Sequence, residues 1–298
     1  MGLVRKMSDK FPIDVGLVKR LVAGQFPQWA GLEVRPVASS GWDNFTFHLG
    51  ETMKVRLPSA AGYAEQTDKE YFWLPRFAPQ LPLPIPAPLA VGEPAETYPW
   101  RWAVYDWIDG LTAMQRDVPD LVGLARDVAD FLTAYQKIDT AGGPPPGPHN
   151  FFRGGPLTVY DGEARAALVA LEGRIDTATA RKIWEAALAA HWDGAPRWVH
   201  GDIAAGNLLL DEAGKLKAVL DFGCCAVGDP ACDLVLSWTL LDEASRMAFR
   251  EGMPADEAMW ARARGWGLWK ALIVLAGDNE KTKPEQQRVL DVLLAERA

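Results

Sequence analysis

His200, Asp202 and Asn207, followed by Asp221, carry the chemistry that this chain can do. They stand in the run Trp198–Val199–His200–Gly201–Asp202–Ile203–Ala204–Ala205–Gly206–Asn207 and in Leu220–Asp221–Phe222–Gly223. The two patterns are H-x-D-x-x-x-x-N and D-F-G. Moving a phosphoryl group from ATP needs an anion to orient the acceptor hydroxyl. It also needs oxygen ligands that hold magnesium against the phosphates. Asp202 suits the first task as catalytic base, and Asn207 with Asp221 suits the second as metal ligands. Either motif alone is a weak signal, because turn aspartates commonly bond their own backbone. Together, in this order and at this spacing, they point to phosphoryl transfer.

These residues need strands to deliver them. Arg197–Trp198–Val199 is β-prone and can bring in the loop, and Leu208–Leu209–Leu210 continues as a short buried run. Asp211–Glu212–Ala213–Gly214 turns the chain, and 216–220 returns as a partner strand ending at Asp221. Much earlier, 45–49 and 52–57 alternate as two strands of a hairpin, after the turn-rich loop 39–44. That loop, with Ser40, would cover nucleotide phosphates through backbone N–H and hydroxyl groups. In the second strand Met53, Val55 and Leu57 share one face, and Lys54 and Arg56 the other. One of the two cations should reach the phosphates. Position favours Arg56, and the compact charge of a lysine favours Lys54. Residues 63–77 are predicted helical, with Tyr71, Phe72, Leu74 and Phe77 as the apolar contacts, and Glu70 could hold the strand cation. The aromatic run 100–107 ends at Asp109–Gly110, a predicted hinge. Backbone groups of Asp106 and Ile108 would there bond adenine.

Beyond the hinge the pattern is mainly helical: 118–138, 161–171, 177–191, 254–276 and 284–297. Residues 142–148, rich in proline and glycine, cannot be helix. Asp229 and Pro230 read as N-cap and first position of a new helix.

His200–Gly201–Asp202, Asn207, Asp221–Phe222–Gly223 and Gly228–Asp229–Pro230–Ala231–Cys232–Asp233 together resemble the aminoglycoside phosphotransferase and choline-kinase-like family of small-molecule kinases. The resemblance implies an α+β, bilobal, protein-kinase-like fold. An N-terminal lobe, 1–108, would carry an antiparallel sheet and a helix and bind nucleotide. A larger, mainly helical lobe, 109–298, would hold the catalytic loop and the acceptor. It further implies Asp202 as base, Asn207 and Asp221 as magnesium ligands, and Asp229 and Asp233 as braces. No A-P-E motif follows, and Asp229–Pro230 comes too soon for a long activation loop, which argues against a protein kinase.

The net charge of −8 disfavours nucleic acid as a partner and gives mild support to a cationic one. No apolar run is long enough for a membrane span, and the polar start lacks a signal peptide core. Cys224, Cys225 and Cys232 are too clustered to staple a fold, so a reduced, cytoplasmic protein is expected. The expected activity uses ATP and Mg2+ to phosphorylate a hydroxyl of a small molecule, an aminoglycoside being one candidate. The alternatives are a metabolite kinase for a choline-like, sugar or amino-alcohol substrate, and a silent nucleotide-binding module.

Overall fold

The computed structural model describes residues 10–38 and 43–296, and the chain divides into two compact units. One is Met1–Gly110 with Ala218–Gly223, and the other is Leu111–Lys217 with Cys224–Ala298.

In the first unit the elements are α1 (Val15–Gln25), β1 (Val34–Pro36), β2 (Asn44–Leu49), β3 (Met53–Pro58), α2 (Ala64–Phe77), β4 (Pro88–Gly92) and β5 (Trp102–Asp106). Helix α1 starts where the Asp14 carboxylate accepts the Leu17 N–H at 2.7 Å, satisfying an otherwise orphaned donor. The strands form one antiparallel sheet in the order β1-β2-β3-β5-β4. Side-chain alternation does what it must: Val55 and Leu57 of β3 join Phe47, Leu49, Trp102 and Val104 in a core closed by Leu17, Val18, Leu21 and Val22 of α1. Each such burial contributes about 1.5–3 kcal/mol. Lys54 and Arg56 are left on the opposite face, toward which β5 presents Tyr105.

Helix α2 corrects the sequence expectation. Tyr71 and Phe72 are about half exposed, whereas Gln66, Thr67, Glu70, Leu74 and Phe77 are buried. The inner face of this helix is partly polar because it carries Glu70 and Gln66 to partners on the sheet, so counting apolar side chains misplaces the face. Strand β4 follows the extended Pro-rich stretch and was not foreseen.

The second unit contains β6 (Leu111–Thr112), α3 (Leu121–Tyr135), α4 (Asp161–Ala170), α5 (Thr177–Ala189), β7 (Arg197–Val199), β8 (Leu208–Leu210), β9 (Leu216–Val219, running into the first unit at Ala218), β10 (Ala226–Gly228), α6 (Leu236–Thr239), α7 (Glu243–Gly252), α8 (Glu257–Ala276) and α9 (Lys283–Ala295). Its centre is α8, which packs on α4, α5, α9 and the 3-10 turn Pro230–Val235. Nearly every face of α8 is buried, Trp260, Trp266 and Trp269 included, which explains why it lacks a one-sided apolar stripe. Helix α7 was missed in the sequence because its charged residues dominate. No helix among the described residues is long and apolar enough to cross a membrane.

Candidate active site

Strand β3 presents Arg56, and α2 presents Glu70 across from it. Arg56 Nη1 donates to both Glu70 carboxylate oxygens, at 3.0 and 3.1 Å, and Nη2 donates to Asp221 Oδ1 at 3.2 Å. The Tyr105 hydroxyl from β5 donates to Glu70 Oε2 at 2.5 Å. Burial by itself would weaken the proton affinity of Arg56. The charges of Glu70 and Asp221 more than offset this and raise it. Burial, and then the charge of Glu70, drives the Tyr105 hydroxyl well up, so it remains a donor. Arg56, not Lys54, therefore holds the glutamate. Lys54 makes no ion pair among the described residues and stands 5.9 Å over the Tyr105 ring and 6.0 Å over the Trp107 ring. Desolvation first, and the charge of Arg56 second, lower its amine to about 8.

Asp221 follows β9 and has φ 63°, a left-handed conformation rare for a residue with a Cβ. Such strain persists where surroundings over-determine it, and it clusters at functional sites. Its side chain is 41% exposed, open enough to take a cation. Gly223, two residues on, lies against α2: an added Cβ would stand 2.9 Å from Gln66 Cδ. Gln66 in turn donates to Asp43 Oδ2 at 3.1 Å and accepts from Asn44 Nδ2 at 3.5 Å, fixing one end of the loop that enters β2. Sequence reasoning missed Gln66 and Tyr105; the burial pattern of α2 reveals the first, and the hydrogen bond to Glu70 the second. Ser40 lies outside the described residues. Asp106 ends β5 exposed and Ile108 is half-buried. Between them the Trp107 N–H donates to the Thr52 carbonyl at 2.8 Å.

In the second unit, β7 pairs antiparallel with β10 and leads into the loop 200–207. Asp202 is exposed, while His200 is fully buried. The Asn207 amide donates to the Asp202 carbonyl at 2.9 Å and to Asp202 Oδ2 at 3.0 Å. These bonds use Nδ2, so Asn207 Oδ1 remains as the atom able to ligate a cation. The Asp202 N–H donates to His200 Nδ1 at 3.3 Å, making the imidazole a brace. Below the loop, Asp233 accepts from His200 N at 2.8 Å and Gly201 N at 2.7 Å. Burial raises the Asp233 carboxyl to about 7, against the pull of those two N–H groups. Gly201 has φ 81°, and a Cβ there would meet the Cys224 carbonyl oxygen at 2.6 Å, so glycine is required twice over. Asp229 caps the following turn through Ala231 N at 3.1 Å and takes a two-point ion pair from the buried Arg262 of α8, at 2.6 and 3.2 Å. Nothing in the sequence singles Arg262 out.

The donors suit magnesium. Among the described residues no group of three or more His, Cys, Asp or Glu could hold a metal unaided. Asp221 in the first unit and Asn207 in the second each present a side-chain oxygen of the hard kind that magnesium prefers.

The model of the phosphotransferase enzyme family matches residues 33–266. The GDP complex of aminoglycoside 2'-phosphotransferase-IIIa superposes with a TM-score of 0.67 at 16% identity, covering 95% of this chain and 99% of that one. The streptomycin–ATP ternary complex of APH(2")-IIa gives 0.58 at 21% identity, with 94% and 97% covered. Macrolide 2'-phosphotransferase MphH from Brachybacterium faecium gives 0.57 at 20%, with 96% and 100% covered. At these identities the likeness establishes the fold, which is that of these kinase-like phosphotransferases. In sequence, the uncharacterized protein YcbJ of Bacillus subtilis (strain 168) is 37% identical over 74 residues, 24% of each chain. The matched part thus spans about a quarter of that curated relative.

Proposed function

Because the chain belongs to the phosphotransferase enzyme family, we propose that it transfers the γ-phosphoryl group of ATP to a hydroxyl of a small molecule. The observation that carries this reading is the Arg56 guanidinium, bonded at once to Glu70 and to Asp221. A cation fixed by a helix glutamate and tied to the D-F-G aspartate has the chemistry of a nucleotide phosphate clamp. We assign the α/β-phosphate contact to Arg56, with Lys54 as a flanking charge. The backbone at Asp106 and Ile108 takes adenine, and the loop that includes Ser40 covers the phosphates. GDP, ADP and ATP in the neighbouring structures support nucleotide use.

Asp202 acts on the acceptor. Exposed, yet held in one rotamer by Asn207, its carboxylate accepts the hydrogen bond of the incoming hydroxyl. It takes that proton as the new O–P bond forms and the bond to the ADP oxygen breaks. Asp233 and His200 position Asp202 by fixing its loop. Asn207 and Asp221 would each lend an oxygen to magnesium, which would supply neutralisation of the phosphate charge. The rate then comes from positioning and electrostatics rather than from a covalent intermediate. None of the three cysteines is in a disulfide, which fits work in a reducing compartment.

Asp202→Ala and Asp221→Ala are expected to abolish turnover in proteins that keep a wild-type circular dichroism spectrum. Near-normal phosphorylation by either variant would refute the assignment. Neighbouring structures hold kanamycin and streptomycin, so an aminoglycoside is one acceptor to test and a cellular alcohol is the second.

A further inference from the structure

Arg153 stands beside the H-G-D loop: a Cβ at Gly201 would lie 3.0 Å from the Cβ of Arg153. Its backbone is fixed by unusual means. Phe151 and Phe152 both lie in the left-handed region, at φ 54° and 53°, a conformation that costs each such residue about 1–2 kcal/mol. Asn150, fully buried, ties this turn down, donating to the Arg153 carbonyl at 2.8 Å and to the Cys224 carbonyl at 3.2 Å. The guanidinium itself makes no ion pair or hydrogen bond among the described residues. It stacks 5.3 Å from the rings of both Trp266 and Trp269. Those rings are braced in turn: Tyr160 stacks on Trp269 at 3.9 Å, and the Trp269 indole N–H donates to Glu163 at 3.2 Å. An arginine whose flat face is occupied by aromatics still has its five N–H donors to offer at the edge.

Two further groups belong to the same corner. Lys270, exposed on α8, stands four residues after Trp266 and so on the same helix face, and it makes no ion pair or hydrogen bond among the described residues. Its amine is lowered by desolvation and then by the charge of Arg153, with Asp202 opposing, so both of those charges reach it. The Trp266 indole N–H is buried and lacks an acceptor. Beside the proposed base lie two cations and a donor that no protein acceptor uses. A polycationic acceptor would meet like charge here, whereas an anionic one would meet unpaired donors in rigid geometry.

We propose that Arg153 and Lys270 bind an oxyanion of the acceptor, so that the substrate is a small alcohol carrying a carboxylate or a phosphate. This rests on the kinase reading of Asp202 and replaces the cationic acceptor suggested by net charge. The recognising residues lie in the second unit together with Asp202, so the anion fixes the hydroxyl relative to the base.

The test is tryptophan fluorescence titration of the full chain with ADP and magnesium saturating, which keeps the probes out of the nucleotide site. The probes are glycerate, glycerol 3-phosphate, choline and kanamycin. Saturable binding of glycerate or glycerol 3-phosphate is expected, and which of the two binds tells carboxylate from phosphate. Arg153→Met and Lys270→Gln should each weaken it by about 30-fold or more, leaving the affinity for ADP unchanged. Arg153→Met could disturb packing on the tryptophans. Lys270→Gln, on an exposed helix position, then decides. Binding of choline or kanamycin alone, binding of none of the four, or anion binding indifferent to both substitutions overturns the proposal. Binding needs no turnover, so a protein that binds the anions but transfers no phosphoryl group counts against the kinase reading only.

Discussion

Replacing Glu70 by alanine removes both hydrogen bonds from Arg56 Nη1 and the acceptor of the Tyr105 hydroxyl. The side chains of Arg56 and Glu70 are 11% and 3% exposed, so water replaces little of what is lost. Breaking a buried pair by removing one partner costs about 3–5 kcal/mol. Asp221 still lies 3.2 Å from the guanidinium, which places the loss near the low end, about 3 kcal/mol. The orphaned Tyr105 hydroxyl adds about 1–3 kcal/mol. A loss of about 4 kcal/mol is large against the ~5–15 kcal/mol of a typical domain. Urea unfolding followed by tryptophan fluorescence reads it. Glu70→Gln, which keeps the shape and one acceptor oxygen, should lose less. Tyr105→Phe added to Glu70→Ala should recover about 1 kcal/mol or more, because the orphaned donor is gone. A Glu70→Ala variant within about 1 kcal/mol of wild type, or a double variant with no recovery, would show that the Arg56–Glu70–Tyr105 cluster is not what holds this face of the sheet.

Asp233 predicts a pH dependence. Its folded value of about 7 lies above the ordinary carboxylate value of 3.8, so the folded state holds the proton more tightly. Stability therefore falls as pH rises from 3.8 towards about 7, and levels off above. Asp233→Asn should flatten that slope in unfolding midpoints measured across pH. Arg262→Met leaves the buried Asp229 carboxylate unpaired and should cost about 3–5 kcal/mol in urea unfolding, and adding Asp229→Asn should restore part of it. Gly201→Ala should cost turnover through KM and kcat of a folded enzyme, since its Cβ would displace the Cys224 carbonyl at 2.6 Å and with it the loop holding Asp202.

The residues proposed for the chemistry stand out as candidates in the sequence, whereas the residues that hold them in place do not. Asp202, Asn207 and Asp221 stand in a fixed local spacing, because one short loop and one strand end must present them. Asp229 was legible as a cap for the same local reason. Lys54 and Arg56 share a strand face, so periodicity could not choose between them. The choice came from Glu70 on α2, a partner 14 residues away. Helix α2 was read upside down at Tyr71 and Phe72, since a helix that buries a charge network breaks the apolar-face rule. Asp233, Arg262 and Asn150 act on segments 32, 33 and 74 residues distant, and no local pattern encodes a partner that far along the chain. The pairing of β7 with β10 escaped notice for that reason too.

The central claim is transfer to an alcohol. It is tested most directly by incubating the protein with ATP labelled at the γ-phosphoryl group, magnesium and a panel of small alcohols spanning anionic, neutral and cationic members. Label is expected in one acceptor with the wild-type chain and in none with Asp202→Ala. Label appearing only in inorganic phosphate, or reaching the same acceptor through Asp202→Ala, would contradict the account.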